Sequence, residues 1–187
     1  MKNINKKILF LSIILLILPS TVLALPPCGV SLFSVFFDCR GTAGYRDGRS
    51  GFWYEGDFKN GKFHGSGEID FLDGAISVDL VRFVGEFRDG TPFKGKMYYR
   101  GGGDTYDGEL LDYKRNGQGI YKHADGRIKI GEWKDGKPNG RQIHYDKNMC
   151  ILRSGVFQNE IYIAYEEIDL QIFDRIKLNE VGSCTVK

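Results

Sequence analysis

The sequence predicts an all-β fold, an elongated single-layer antiparallel meander of hairpin repeats with a C-terminal capping helix. Three observations predict it. A Gly-acid-apolar step recurs as Gly56-Asp57-Phe58, Gly85-Glu86-Phe87, Gly108-Glu109-Leu110 and Gly131-Glu132-Trp133, with a weaker Gly155-Val156-Phe157; its glycines lie 29, 23, 23 and 24 residues apart. Regular spacing of that size marks stacked supersecondary units. Two sets of turn steps punctuate the period: Asn60-Gly61, Asp89-Gly90 and Asp135-Gly136, and between them Asp47-Gly48, Asp73-Gly74 and Asp125-Gly126. Such steps supply the positive φ angles of two-residue hairpin turns, so each period holds two short strands. Finally, side chains alternate across a strand, which puts Tyr54, Phe58 and Phe63 on one face with Gly56, Gly65 and Gly67. The other face receives Glu55, Asp57, Lys59, Lys62, His64 and Ser66.

From the N-terminus, Lys2, Lys6 and Lys7 precede an apolar run at 8–18, Pro19 breaks it, and Val22 and Ala24 suit a cleavage site. That layout is a secretory signal peptide over residues 1–24; the alternative is an uncleaved N-terminal membrane anchor, for which the run is short of the ~20 residues that span a bilayer. The chain has 26 Lys and Arg against 24 Asp and Glu, and the signal removes three lysines, leaving 23 against 24. The basic excess is thus a targeting feature, and no nucleic-acid partner is expected.

Residues 25–48 read as an N-terminal cap with a partial repeat, 49–160 as the repeat sheet and 161–187 as the C-terminal cap. The four cysteines, Cys28, Cys39, Cys150 and Cys184, are expected to form two disulfides in an exported chain. Cys39 and Cys150 bracket about four repeats, ~40 Å at ~10 Å per hairpin, too far to bridge. The expected pairs are Cys28–Cys39 and Cys150–Cys184, with Cys184 the open member.

Folding the first hairpin on Asn60-Gly61 sets Phe58 opposite Phe63, Asp57 opposite His64, Gly56 opposite Gly65 and Tyr54 opposite Gly67. The glycines leave bare backbone on which neighbouring rings lie. The fourth repeat gives the same register, Trp133 opposite Pro138 and Gly131 opposite Gly140. The stretch YEGDFKNGKFHGSGEIDFLDG, residues 54–74, resembles a MORN repeat (membrane occupation and recognition nexus), as do 106–126 and 129–148. The resemblance extends in weaker form over 39–160. It implies an elongated curved sheet used for binding or scaffolding, in some members proposed to meet phospholipids. Departures from the pattern are Tyr113 in place of a turn glycine, and Lys129 and Arg153 in place of the leading tyrosine. An inserted loop around Ala75–Leu80 accounts for the longer first spacing. After 160, apolar residues at Ile161, Tyr165, Ile168, Ile172, Phe173 and Ile176 approach helical spacing, a terminal element of the kind that covers a solenoid's last core face.

Catalytic readings are weak. The acids Asp57, Glu86, Glu109 and Glu132 fall ~10 Å apart on alternate strands and read as a solvated face. His64, His123 and His144 lie in three repeats without a shared pattern, so no metal site is expected, nor any cofactor. The function expected is a non-catalytic exported interaction or scaffold module, in the periplasm or cell envelope if the source is bacterial. Its partner would be an unidentified protein of that compartment. The alternative is a peripheral phospholipid-binding module, and an enzyme is the third class. The candidate binding surface is the aromatic face, Tyr54, Phe58, Phe83, Phe87, Tyr106 and Trp133, since a single layer cannot bury both its faces.

Overall fold

A computed structural model describes residue 28 and residues 38–47, 50–72 and 79–169. The expected signal peptide, residues 75–78 of the expected loop, and residues 170–187 with Cys184 lie outside the described residues. The strands are β1 (Cys39–Asp47), β2 (Ser50–Lys59), β3 (Lys62–Phe71), β4 (Leu80–Arg88), β5 (Thr91–Tyr99), β6 (Thr105–Leu111), β7 (Lys114–Lys122), β8 (Ile128–Lys134), β9 (Lys137–Tyr145), β10 (Ile151–Gln158) and β11 (Ile161–Tyr165). All eleven form one open antiparallel sheet in chain order. The fold is therefore the all-β meander that the repeat predicts.

Two boundaries shift. Strand β1 pairs with β2 along its whole length, so the sheet begins at Cys39 rather than at 49. Residues 161–165, expected to start a helix, are instead strand β11, and 166–169 are not helical. Ile161, Ile163 and Tyr165 also fit a period of two, and the Asn159-Glu160 turn, with φ of 49° and 74°, adds one more hairpin. The first set of turns forms where the sequence places it, whereas Asp125-Gly126 falls in a longer loop between β7 and β8, and Gly48, Asp73 and Gly74 lie outside the described residues. Asn60 and Gly61 (φ 50° and 73°), Asp89 and Gly90 (50° and 96°), and Asp135 and Gly136 (51° and 83°) all take left-handed backbone. Tyr113 does so too, at φ 61°, where its glycine is missing; burial against Phe71, with ring centroids 6.0 Å apart, offsets the conformational cost.

The register differs from expectation at one point per repeat. Phe58↔Phe63 and Asp57↔His64 hold, but Gly56 faces Gly67 instead of Gly65, and Tyr54 faces Ile69. In the fourth repeat Trp133 faces Pro138, whereas Gly131 faces Gln142 and not Gly140. A β-bulge inserts residues 65–66 on the returning strand, with Gly65 at φ 60°, and Gly117 takes the same place at 67°. Hairpin counting from the turn cannot see such an insertion. The acid column explains it: Asp57 Oδ2 accepts the Ser66 N–H at 2.9 Å, and Glu132 Oε2 accepts the Arg141 N–H at 3.3 Å. Asp57 and Glu132 thus hold bulged backbone as well as standing on the solvated face, where Glu86 is exposed.

After the bulge, the glycines align across the sheet. Gly41, Gly56, Gly67, Gly85, Gly95, Gly108, Gly119 and Gly131 are successive partners from β1 to β8, followed by Gln142 and Gly155. Rings cover this row on one face. A Cβ on Gly67 would stand 2.5–2.8 Å from Tyr54, and one on Gly119 2.3–2.4 Å from Tyr106. Neighbouring rings then interlock, Tyr54 stacking on Phe63 at 3.8 Å and meeting Phe58 edge-on at 5.2 Å.

The core changes sides along the sheet. The first and larger cluster lies on the ring face, with Tyr54, Phe83, Phe87 and Tyr106 among its members. The second, Ile130, Ile143, Tyr145 and Ile168, lies on the opposite face, because these strand residues neighbour Gly131, Gln142 and His144 in alternation. Ile168, beyond the last strand, closes this second cluster.

Candidate interaction surface

The six rings expected to present a binding surface are closed off. Tyr54, Phe58, Phe83, Phe87, Tyr106 and Trp133 are at most 4 % exposed. They bury one another because each leading ring lies over the glycines of its own hairpin. Trp133 Nε1 donates to the Gly119 carbonyl at 3.1 Å, which satisfies its one donor inside the core. The tyrosine hydroxyls are also used internally. Tyr54 donates to the Asp57 carbonyl at 2.8 Å and Tyr106 to that of Glu109 at 3.0 Å. Burial raises the pKa of both phenols far above the ordinary tyrosine value, so both remain neutral donors.

Repeat four makes the same contact with different residues. Its leading position is Lys129, and the returning strand carries Gln142 where Gly67 and Gly119 stand in the others. The fully buried Gln142 lies over Gly131 and donates Nε2 to the Glu132 carbonyl. That carbonyl is the equivalent of those at Asp57 and Glu109. A tyrosine from one strand is thus replaced by a glutamine from its partner.

The accessible face of the first six strands is the polar one. Here the glycine row is the bare floor of an open trough of about 590 Å³, over Gly67, Gly85 and Gly95. Glu55, Glu68, Glu86 and Asp107 line it together with Arg40 and Lys94. Several of these charges are already paired: Arg40 with Asp57 at 2.9 Å and Arg82 with Glu68 at 2.6 Å. Lys94 stands between Glu86 and Glu109 in the cross-strand register. The trough offers alternating charge and unobstructed backbone, and no nucleophile–base pair converges in it.

The ring face carries a different surface at its C-terminal end. The row that begins Tyr54, Ile69, Phe83, Met97, Tyr106 and Tyr121 continues as Lys129, His144 and Arg153. Burial first, then the charges of Lys129, Arg153 and His123, push the His144 pKa down to about 4. Burial also lowers that of Lys129. His123 and His144 are thus electrostatic neighbours, closer than their places in separate repeats suggest. The signal for this surface lay in the two departures at the leading position, but without the register they could not be joined through His144. Among the described residues, no group of His, Cys, Asp and Glu could hold a metal ion.

Cys28 and Cys39 are disulfide-bonded, with Cα atoms 5.0 Å apart. The expected Cys150–Cys184 pair has one member outside the described residues. Residues 54–76, 106–126 and 130–141 match the family model described as MORN repeat. No curated protein matches the chain.

Proposed function

The chain is a MORN-repeat protein, and from that premise we propose that it is a non-catalytic exported scaffold that binds a protein partner in the trough on its polar face. Repeats of this family are generally modules for interaction with proteins or lipids. The observation that carries the reading is the open trough over Gly67, Gly85 and Gly95. It presents bare backbone between two lines of mixed charge on the one face that the rings do not use. Alternating acids and bases suit a protein surface of complementary pattern, whereas an anionic membrane calls for basic residues without interleaved acids. Export is supported by the Lys2/Lys6/Lys7 start and the apolar run behind it. The Cys28–Cys39 bridge fits an oxidising compartment.

The test is affinity capture from the native envelope with the wild-type chain and with a Glu86→Arg/Asp107→Arg variant, both positions being exposed. A protein retained by the wild type and lost by the variant supports the reading. An identical set of captured proteins, or salt-sensitive cosedimentation of the chain with anionic vesicles in their place, overturns it.

A further inference from the structure

The trough does not account for the cationic end of the opposite face. Lys129, His144 and Arg153 are cross-strand partners on β8, β9 and β10. With ~4.8 Å between strands, Lys129 and Arg153 stand ~10 Å apart with the imidazole between them. In the other repeats this position is core: Tyr54, Phe83 and Tyr106 are all fully buried. Here the core has crossed to the other face, so packing does not require the cations.

Nor do the described residues pair with them. Among the described residues, no hydrogen bond or ion pair reaches Lys129 or His144, and the buried His144 Nε2 is unsatisfied. Arg153 overlies the Tyr162 ring at 4.9 Å. The surrounding charges do not compensate. Arg115 and Arg127 add positive field from β7 and the following turn. Of the nearby acids, Asp104 accepts from Tyr121 and from the Ala124 N–H, and Asp125 holds Arg127 at 2.8 Å. Among the described residues Glu160 opposes Lys129, Glu166 pairs with Arg141 at 2.8 Å, and Glu167 lines a hollow with Arg153 at the edge of the row. A half-buried lysine beside an exposed arginine and a neutral imidazole, opposed by little negative charge, gains from the arrival of an anion.

We propose that this row is a docking site for an acidic peptide segment, whose carboxylates seat between Lys129 and Arg153 above His144. Arginine and carboxylate match as a bidentate pair, and Phe157, whose ring centroid is 4.7 Å from that of His144, gives the site an apolar wall. A peptide fits better than a membrane. The patch spans three strands, Lys129 and His144 are recessed and only Arg153 is exposed, whereas a lipid surface is held by several exposed basic residues acting together. The site lies on the other face from the trough and does not depend on what the trough binds.

The test uses the exported chain with hexaglutamate as probe, following the His144 ring resonances through a pH titration. Binding should raise the His144 midpoint from about 4 toward the ordinary histidine value. Affinity should fall at least tenfold in Arg153→Gln, a change at an exposed position, and further when Lys129→Gln is added. Hexalysine should leave the midpoint unchanged. An unmoved midpoint with hexaglutamate, equal affinity in the two variants, or association only with phosphatidylglycerol vesicles would overturn the proposal. Loss of a captured protein in the Glu86/Asp107 variant would stand regardless, so the two readings fail separately.

Discussion

If Gln142 does in repeat four what Tyr54 and Tyr106 do in theirs, the two solutions should be exchangeable as pairs and not singly. Repeat three tests this. Gly119→Gln alone places a Cβ 2.3–2.4 Å from the Tyr106 hydroxyl, Cε2 and Cζ. The fully buried ring must move, which costs ~1–3 kcal/mol by overpacking, and its 3.0 Å bond to the Glu109 carbonyl is lost, adding ~1 kcal/mol. Tyr106→Lys alone empties a core site and removes the same bond, at ~3–5 kcal/mol by analogy with other aromatic truncations. In the double variant the lysine side chain vacates the space over Gly108, and the glutamine amide reaches the Glu109 carbonyl. The double should therefore be more stable than the two single losses imply, by ~1–3 kcal/mol of coupling. Urea denaturation of the four proteins gives the cycle, with equal m values as the check that two-state behaviour persists. Strict additivity would refute the equivalence and reduce Gln142 to an unrelated packing choice.

Lowering the pH should destabilise the sheet through His144. Its folded pKa, about 4, lies below the unfolded value, so the unfolded chain binds the proton first. Stability is complete above pH ~6.5 and falls toward pH 4, by up to ~3 kcal/mol from this group. Melting temperatures across that range should slope less steeply in His144→Gln, and an unchanged slope would deny the imidazole its part. Asp57→Ala, which releases both Arg40 and the Ser66 N–H, should cost ~1–2 kcal/mol. Glu86→Ala, whose carboxylate only approaches Arg88 at 3.9 Å, should be near neutral; equal losses in denaturant would show that the bulge does not need its acid. Removing the Cys28–Cys39 bridge, which closes a separation of 11 residues, should cost ~2–3 kcal/mol in thermal melts.

Most of the architecture could be read from the residues, because hairpin turns and alternation are local signals. Asn60-Gly61 and Asp135-Gly136 announce their turns, and the Gly-acid-apolar step locates every second strand. The Asn159-Glu160 turn escaped because neither residue is glycine, and with it β11 was read as part of a helix. The bulge escaped because an inserted pair leaves no mark on turn chemistry, although Gly65 at φ 60° needed some such place. That single omission shifted the partners of Gly56 and Gly131 and hid the alignment of the glycines. The aromatic face was identified correctly as a face, but its exposure depends on how rings from adjacent strands interlock, which spacing alone does not give. The cationic row depends on register across three strands and on the core crossing sides. Neither can be seen from any one repeat.

The strand order, each strand beside its immediate predecessor from β1 to β11, also bears on how the sheet is made. Every pairing closes a short stretch of chain, so contact order is low for an all-β protein and the entropic barrier that slows β-sandwiches is small. Assembly can start at any well-formed hairpin and extend by one strand at a time, in the manner of a zipper. Pulled from its ends, such a sheet should peel strand by strand, in many small steps rather than one large rupture. A hairpin added or deleted between two turns would change the length of the sheet without asking any distant strand to find a new neighbour.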